Sequence, residues 1–299
     1  MPRRGQQAAI PSDFTRIRYE TPAAGVARVV LARADKHNAQ DRRMLYELDR
    51  AFRIAVADTD VRVIVLAADG QNFSAGHDLT DDEDIDHYDT ATLNGGFHDE
   101  GVAGMMHREE EIYLGFCWRW RNLPKPTIVQ VQGKAIAGGL MLIWPFDLVV
   151  ASDDATFADP VCALGVNGHE YFAHAWELGA RKAKEMLFLG AELTAEEARE
   201  RGMVNRVVPR DRLSQVTLEM AAKITERPAF ALELAKLAVN QGVDAQGLWT
   251  ALRSAFALHQ LGHANCRVRH GIPIEPTGPE LIRREIKDAA ARRATREPR

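Results

Sequence analysis

Residues 73–79 read Phe-Ser-Ala-Gly-His-Asp-Leu, and residues 137–139 read Ala-Gly-Gly. Small residues leave backbone N–H groups accessible. The glycine pair stands where an apolar helix opens, and the first N–H groups of a helix lack acceptors and lie at its positive end. Two such donors facing one carbonyl oxygen form an oxyanion hole. Losing one donor of that kind costs roughly 10²–10³ in rate. Taken singly, each stretch also fits close backbone packing. His77 adds a ring that exchanges protons near neutral pH. His169 and Glu170, in Gly-Val-Asn-Gly-His-Glu (165–170), are a second pair of acid/base candidates. The same residues suit a helix start, with Asn167 or Glu170 as the cap.

A third group lies between Thr80 and Asn122, a stretch long for a connection and therefore read as a lid, a binding loop or a disordered segment. It holds the acidic run Asp81–Asp86, Gly95-Gly96, His87, His98, His107 and Glu109-Glu110-Glu111, and Met105–Trp120 reads as a helix over a pocket. Consecutive glutamates mostly face solvent. The three histidines lack ligand spacing, so no metal is expected. Trp118, Trp120 and Trp144 read as core or pocket wall.

These groups must be positioned by surrounding elements. Ala27–Ala32 and Val61–Ala67 read as strands, and between them Asp41–Val56 places Met44, Leu45, Leu48, Phe52 and Ala55 on one helical face. Thr127–Val131, behind Pro124 and Pro126, and Asp147–Ala151 are further strands. The layout is α/β, with parallel strands and helical crossovers. From Gly179 onward the pattern reads as all helical. Thr194-x-x-Glu197 forms a capping box, Gly202 fits a C-cap, and helices follow over Arg212–Glu226, Ala229–Asn240 and Leu248–Leu261. The division expected is a core over 14–205 and a helical C-terminal region over 206–299.

The 299 residues are 46% hydrophobic and 27% charged, the usual range for a globular chain with a sizeable core. A net charge of -4 argues against a general nucleic-acid binder, although the tail from Arg283 is rich in arginine. Cys117, Cys162 and Cys266 have neither metal nor redox spacing, which suits a reducing compartment. No signal peptide or membrane span is read, so a cytoplasmic location is expected.

The stretches NFSAGHDL, KPTIVQVQGKAIAGG, FDLVVASDDATFADP and LTAEEARERGMVNRVV together resemble the crotonase superfamily (enoyl-CoA hydratase/isomerase), from about Arg28 to Asn240. The resemblance implies a crotonase-like spiral of ββα units with a helical C-terminal oligomerisation region, assembled as a trimer or dimer of trimers. It implies an acyl-CoA thioester as substrate, with coenzyme A entering only as part of it and no separate cofactor. The thioester oxygen would be held by the N–H groups of His77 and Gly138. Lys36, His37, Ala39, Ala75, Asp78 and Leu79 match positions that wrap CoA, and Gly139 lies beside the hole. The two glutamates that serve hydratases of this family match Met141 and Val161 here, and neither side chain carries a proton. Those two would line an apolar acyl pocket instead. Three readings follow: a hydratase/isomerase-type lyase working through residues such as His169 or Glu170; an acyl-CoA decarboxylase or thioester hydrolase using His77; and a CoA-binding or assembly protein without turnover. Arg283, Arg284 and Lys287 would reach a neighbour's CoA phosphates if the tail ordered there.

Overall fold

A computed structural model describes residues 11–85, 87, 88, 90 and 97–294. Asp86 and Gly95-Gly96, together with the last five residues of the basic tail, lie outside the described residues.

The β-branched run Val26–Leu31 (β2) pairs antiparallel with β1 (Ile17–Ala23) through a turn at Gly25, where φ is +75°. Helix α1 (Arg42–Ala57) begins at Asp41, whose carboxylate accepts the Met44 N–H at 2.8 Å. Its apolar face, including Met44, Leu45, Leu48, Phe52 and Ala55, is buried as the spacing predicts. Strand β3 (Val63–Ala68) lies parallel to β2. The long connection then supplies one nearly continuous helical rod: α2 (Gly101–Glu109), a π-helical turn (Glu110–Gly115) and α3 (Phe116–Arg121). It leads to β4 (Thr127–Val131), parallel to β3.

From here the chain spirals. Strand β5 (Lys134–Ile136) and helix α4 (Gly138–Met141) precede β6 (Leu148–Ser152), which returns beside β4. Strand β7 (Thr156–Ala158) joins β5 in a second sheet, and α5 (His174–Leu178) and α6 (Ala180–Leu189) follow. Strand β8 (Leu193–Thr194) pairs with β7, and after α7 (Ala195–Glu200) strand β9 (Arg206–Val208) pairs with β6. The result is a six-stranded sheet, β1-β2-β3-β4-β6-β9, and a three-stranded sheet, β5-β7-β8.

Phe52 packs edge-on against Trp120 and Phe146 in the main core. Helix α8 (Leu213–Thr225) covers the other face of the large sheet through Leu213 and Ala221. Three more helices complete the chain: α9 (Ala229–Ala245), α10 (Leu248–His270) and α11 (Gly278–Ala294).

The all-helical reading from Gly179 is corrected by β8 and β9. Strands of two and three residues carry too little periodicity to read; pairing with β7 and β6 creates them. A division at 205/206 falls at the first residue of β9, so the sheet runs on to Val208. The capping box is present: Thr194 Oγ1 accepts the Glu197 N–H at 3.2 Å, and Glu197 accepts the Thr194 N–H at 2.9 Å. Thr194→Ala is expected to cost about 1 kcal/mol of stability, seen as a lowered denaturant midpoint with unchanged slope.

Candidate active site

The Phe-Ser-Ala-Gly-His-Asp stretch leaves β3 and is laced between two other segments. Ala75 N–H donates to His37 O at 2.9 Å, and Asp78 N–H donates to Gln40 O at 2.9 Å. Ile136 N–H donates to Ser74 O at 3.0 Å. Gly76 has φ +93°, and a Cβ there would stand 2.9 Å from Ile136 O and 3.3 Å from Gly138 N. Only glycine lets these two loops meet backbone to backbone.

On the facing side, Ala137 has φ +48° and ψ −114°, a conformation strained for a residue with a side chain. Its N–H donates to Ala158 O at 2.8 Å, and α4 starts at the next residue. Among the described hydrogen bonds, neither His77 N–H nor Gly138 N–H has an acceptor. The strained turn and the glycine contact thus bring two unused donors into adjoining backbone.

The His77 imidazole lies across Gly138: a Cβ on Gly138 would fall 2.5 to 3.0 Å from three of its ring atoms. The ring stacks on Tyr113 from the π-helical turn, with centroids 4.0 Å apart. Its Nε2 faces Glu170 Oε2 at 3.1 Å, while Nδ1 is buried without a partner. A carboxylate facing Nε2 fixes the proton there. Nδ1 is then the atom free to take or give a proton.

Electrostatics follow from this pairing. Burial opposes charge on His77, but the charge and hydrogen bond of Glu170, with Glu109 and Asp159 farther off, outweigh it and raise the pKa above 6.5. Burial likewise opposes charge on Glu170, yet His77 and His259 hold its carboxyl below the usual range. Glu109 is pushed up to about 7, first by burial and then by the Glu170 charge. Because the folded pKa of His77 exceeds the unfolded value, its pairing stabilises the fold fully below pH about 6.5. That contribution is lost as pH rises through the folded pKa. In an NMR titration the His77 midpoint is expected above 6.5, moving to or below 6.5 in Glu170→Gln, where burial is left without its main opponent.

His169 is placed differently from Glu170. Its ring packs against Trp144 and His174, centroids 4.8 Å from each, and neither ring nitrogen has a partner. Burial pushes its pKa down to about 3. Its N–H donates to Asp159 at 2.9 Å, and Asp159 also faces His174 Nε2 at 2.7 Å. Asp159 therefore pins the loop that delivers Glu170. Capping is not the role of Asn167 or Glu170, since α5 begins only at His174 and Asn167 Nδ2 donates to Ala255 O.

The residues matched to CoA contacts line the outer side of the same loops. Lys36, His37 and Ala75 are exposed, and Ala39 is partly so. Leu79 is 66% exposed, unusual for leucine. Asp78 is engaged by Arg33 at 2.8 Å and Thr80 Oγ1 at 2.6 Å. Gly139, Met141 and Val161 are buried. His98 and His107 are not among the groups facing His77, whereas Glu109 is brought to the far side of Glu170.

Comparison with known proteins decides the family. The family model for enoyl-CoA hydratase/isomerase matches residues 21–273. The chain belongs to the enoyl-CoA hydratase/isomerase family. It is 45% identical over 270 residues to EchA13 of Mycobacterium tuberculosis, an assigned enoyl-CoA hydratase, covering 87% of this chain and 85% of that one. The crystal structure of an assigned enoyl-CoA hydratase from Mycobacterium smegmatis superposes with a TM-score of 0.80 at 46% identity, over 87% of this chain and 99% of that one. An enoyl-CoA hydratase/isomerase from Xanthobacter autotrophicus Py2 gives 0.76 at 30% identity, over 96% and 100%.

Within this family member, sequence reasoning missed Tyr113, Asp159, His174, His259 and His263. His259 and His263 carried a signal, the i, i+4 spacing that puts two histidines on one helical face. It was masked by the apolar periodicity of the helix around them.

Proposed function

We propose that this hydratase/isomerase family member binds an acyl-CoA thioester and forms its enolate. The N–H groups of His77 and Gly138 hold the thioester oxygen, and the His77–Glu170 pair moves the proton. The observation that carries this reading is the imidazole of His77 lying across Gly138, tied at 3.1 Å to Glu170, with Nδ1 free. Met141 and Val161 sit where two glutamates would serve a hydratase. The proton chemistry therefore passes to a histidine oriented by a carboxylate from another loop. Glu170 keeps the imidazole oriented and stabilises its charged form; Nδ1 exchanges the proton with the acyl α carbon or with water. No separate cofactor takes part.

One observation favours a second reading. Burial opposes charge on the ring, but the Glu170 carboxylate at 3.1 Å favours the protonated form and raises the pKa, which suits the ring to give a proton. An acid beside an oxyanion hole suits protonation of the enolate left when a malonyl-type acyl group loses carbon dioxide.

The C-terminal helices support self-assembly. Phe230, Leu234, Leu237 and Val239 are exposed on α9, and no residue of that helix is buried in the single chain. Among the described residues no helix is long and apolar enough to cross a membrane.

The test is a mass-spectrometric turnover screen of the purified chain with enoyl-, malonyl-type and saturated acyl-CoAs. Addition of water or migration of the double bond supports the first reading. Loss of carbon dioxide selects the second. Tight acyl-CoA binding with no turnover on any of them would sink both and leave a binding protein.

A further inference from the structure

Behind Glu170, away from His77, three side chains converge from distant parts of the chain. Glu109 ends α2, while His259 and His263 stand one turn apart on α10, in the run His-Gln-Leu-Gly-His. One ligand-type atom from each lies within 4.8 Å of the others. His263 Nε2 is 3.7 Å from Glu109 Oε1, and His259 Nε2 is 3.9 Å from Glu109 Oε2.

The other nitrogen of each ring is committed. His259 Nδ1 faces Gly168 O at 2.7 Å, and His263 Nδ1 faces Pro273 O at 2.5 Å. A carbonyl oxygen accepts only, so each Nδ1 carries the proton, and in the neutral ring each Nε2 is a bare lone pair. His259 is 4% exposed, and its Nε2 has no hydrogen-bond partner. Its nearest acidic oxygen, Glu170 Oε1, is 3.4 Å away and outside hydrogen-bond geometry. Glu109 is in turn fixed by Gln260 Nε2, donating at 2.6 Å. Imidazoles anchored through Nδ1 to carbonyls and a carboxylate anchored by an amide are the outer contacts that orient metal ligands.

Hydrogen bonds between the three groups would need shorter gaps. A cation needs less contraction. Ligand atoms around a tetrahedral zinc-type ion stand about 3.3 Å apart, given bonds of about 2.0–2.1 Å. The gaps of 3.7 and 3.9 Å run to the two oxygens of Glu109, and all three ligand atoms lie within 4.8 Å of one another, so the side chains must draw in around the ion, by up to roughly 1.5 Å between a pair. When the ring is uncharged, a buried lone pair facing a carboxylate is costly, and a divalent ion in place of the proton satisfies all three groups.

We propose that Glu109, His259 and His263 form a binding site for a divalent transition-metal ion of the zinc class, with one coordination position left open. Two histidines and one carboxylate suit zinc rather than calcium or magnesium, which take oxygen ligands. The ion joins the inserted helix α2 to α10 beside the loop that carries Glu170. The expectation that no metal is present rested on histidines inside the insertion, and only Glu109 of this site comes from there. Close packing assembles the rest: a Cβ on Gly262 would meet Gly165 O at 2.6 Å, so a glycine in α10 brings that helix against the 165–168 loop. Glu109 and His263 keep 14% and 11% of their side-chain surface exposed, a narrow path for the ion.

The experiment uses the tag-free full chain, equilibrated with Zn²⁺ or Mg²⁺, desalted, and analysed for metal by mass spectrometry and for thermal midpoint. About one zinc per chain is expected, with a midpoint raised by Zn²⁺ and not by Mg²⁺. His263→Ala and Glu109→Gln are each expected to weaken zinc binding at least ~10-fold. His174→Asn, in the separate Asp159–His169–His174 cluster, is expected to leave it unchanged. Cobalt in place of zinc should give the visible absorption of a tetrahedral site in the wild type and lose it in His263→Ala. No retained zinc and no midpoint shift in the wild type overturns the site. So does zinc retained undiminished in His263→Ala, or lost only in His174→Asn.

Discussion

Gly138→Ala is expected to lower turnover of the acyl-CoA substrate by roughly 10²–10³-fold, the loss that follows from disabling an oxyanion-hole donor. The new Cβ would fall 2.5 Å from one carbon of the His77 ring and 2.8 Å from Nδ1. The ring must move off Gly138 and away from Glu170. One methyl group thereby disturbs both the donor pair and the proton-transfer pair. Gly138 opens α4 without a left-handed backbone, and alanine is a good helix former, so the fold should survive. The check is kcat beside a thermal melt. Near-normal turnover with an unchanged melt would falsify the placement of the reacting carbonyl at Gly138.

Glu170→Gln is expected to reduce kcat by about 10²–10⁴-fold, the range seen when a general acid/base loses its effect or its orienting carboxylate is neutralised. The amide keeps the size of the side chain and leaves an oxygen for His77 Nε2 to donate to. What disappears is the negative charge that raises the His77 pKa against burial. The pH–rate profile should therefore move with the mutation, its His77 limb shifting to lower pH. A purely structural role for Glu170 would lower stability and leave that limb in place. Glu170→Asp gives a further comparison, because the charge stays while the reach of 3.1 Å is lost.

Much of the scaffold was legible along the chain because its signals are local. The α1 face, the buried β3 and β4 runs, the Thr194 capping box and the glycine pair that opens α4 each depend on neighbours within a turn or a strand. Strands β8 and β9 were not legible, since they exist only as partners of β7 and β6. The length of α10 and the existence of α11 were hidden by polar, arginine-rich sequence that carries no clear apolar stripe.

The candidate site divides the same way. His77, Gly138, His169 and Glu170 could be named from motif and residue chemistry. Their relations could not. His77 and Glu170 are 93 positions apart and meet because Asp159 pins one loop while Gly76 lets another press against Gly138. His169, adjacent to Glu170, turns instead toward Trp144 and His174, where burial holds its pKa near 3. Glu109 stood as one of three consecutive glutamates, and nothing local set it apart from Glu110 or Glu111.

By itself the sequence determined the α/β spiral with its helical C-terminal region, the enoyl-CoA hydratase/isomerase resemblance, and the absence of glutamates at 141 and 161. Only the tertiary structure decided which acid faces which base. Proton affinity and metal affinity depend on burial and on charges a few ångströms away, and those distances are set by packing between segments that the chain order keeps far apart.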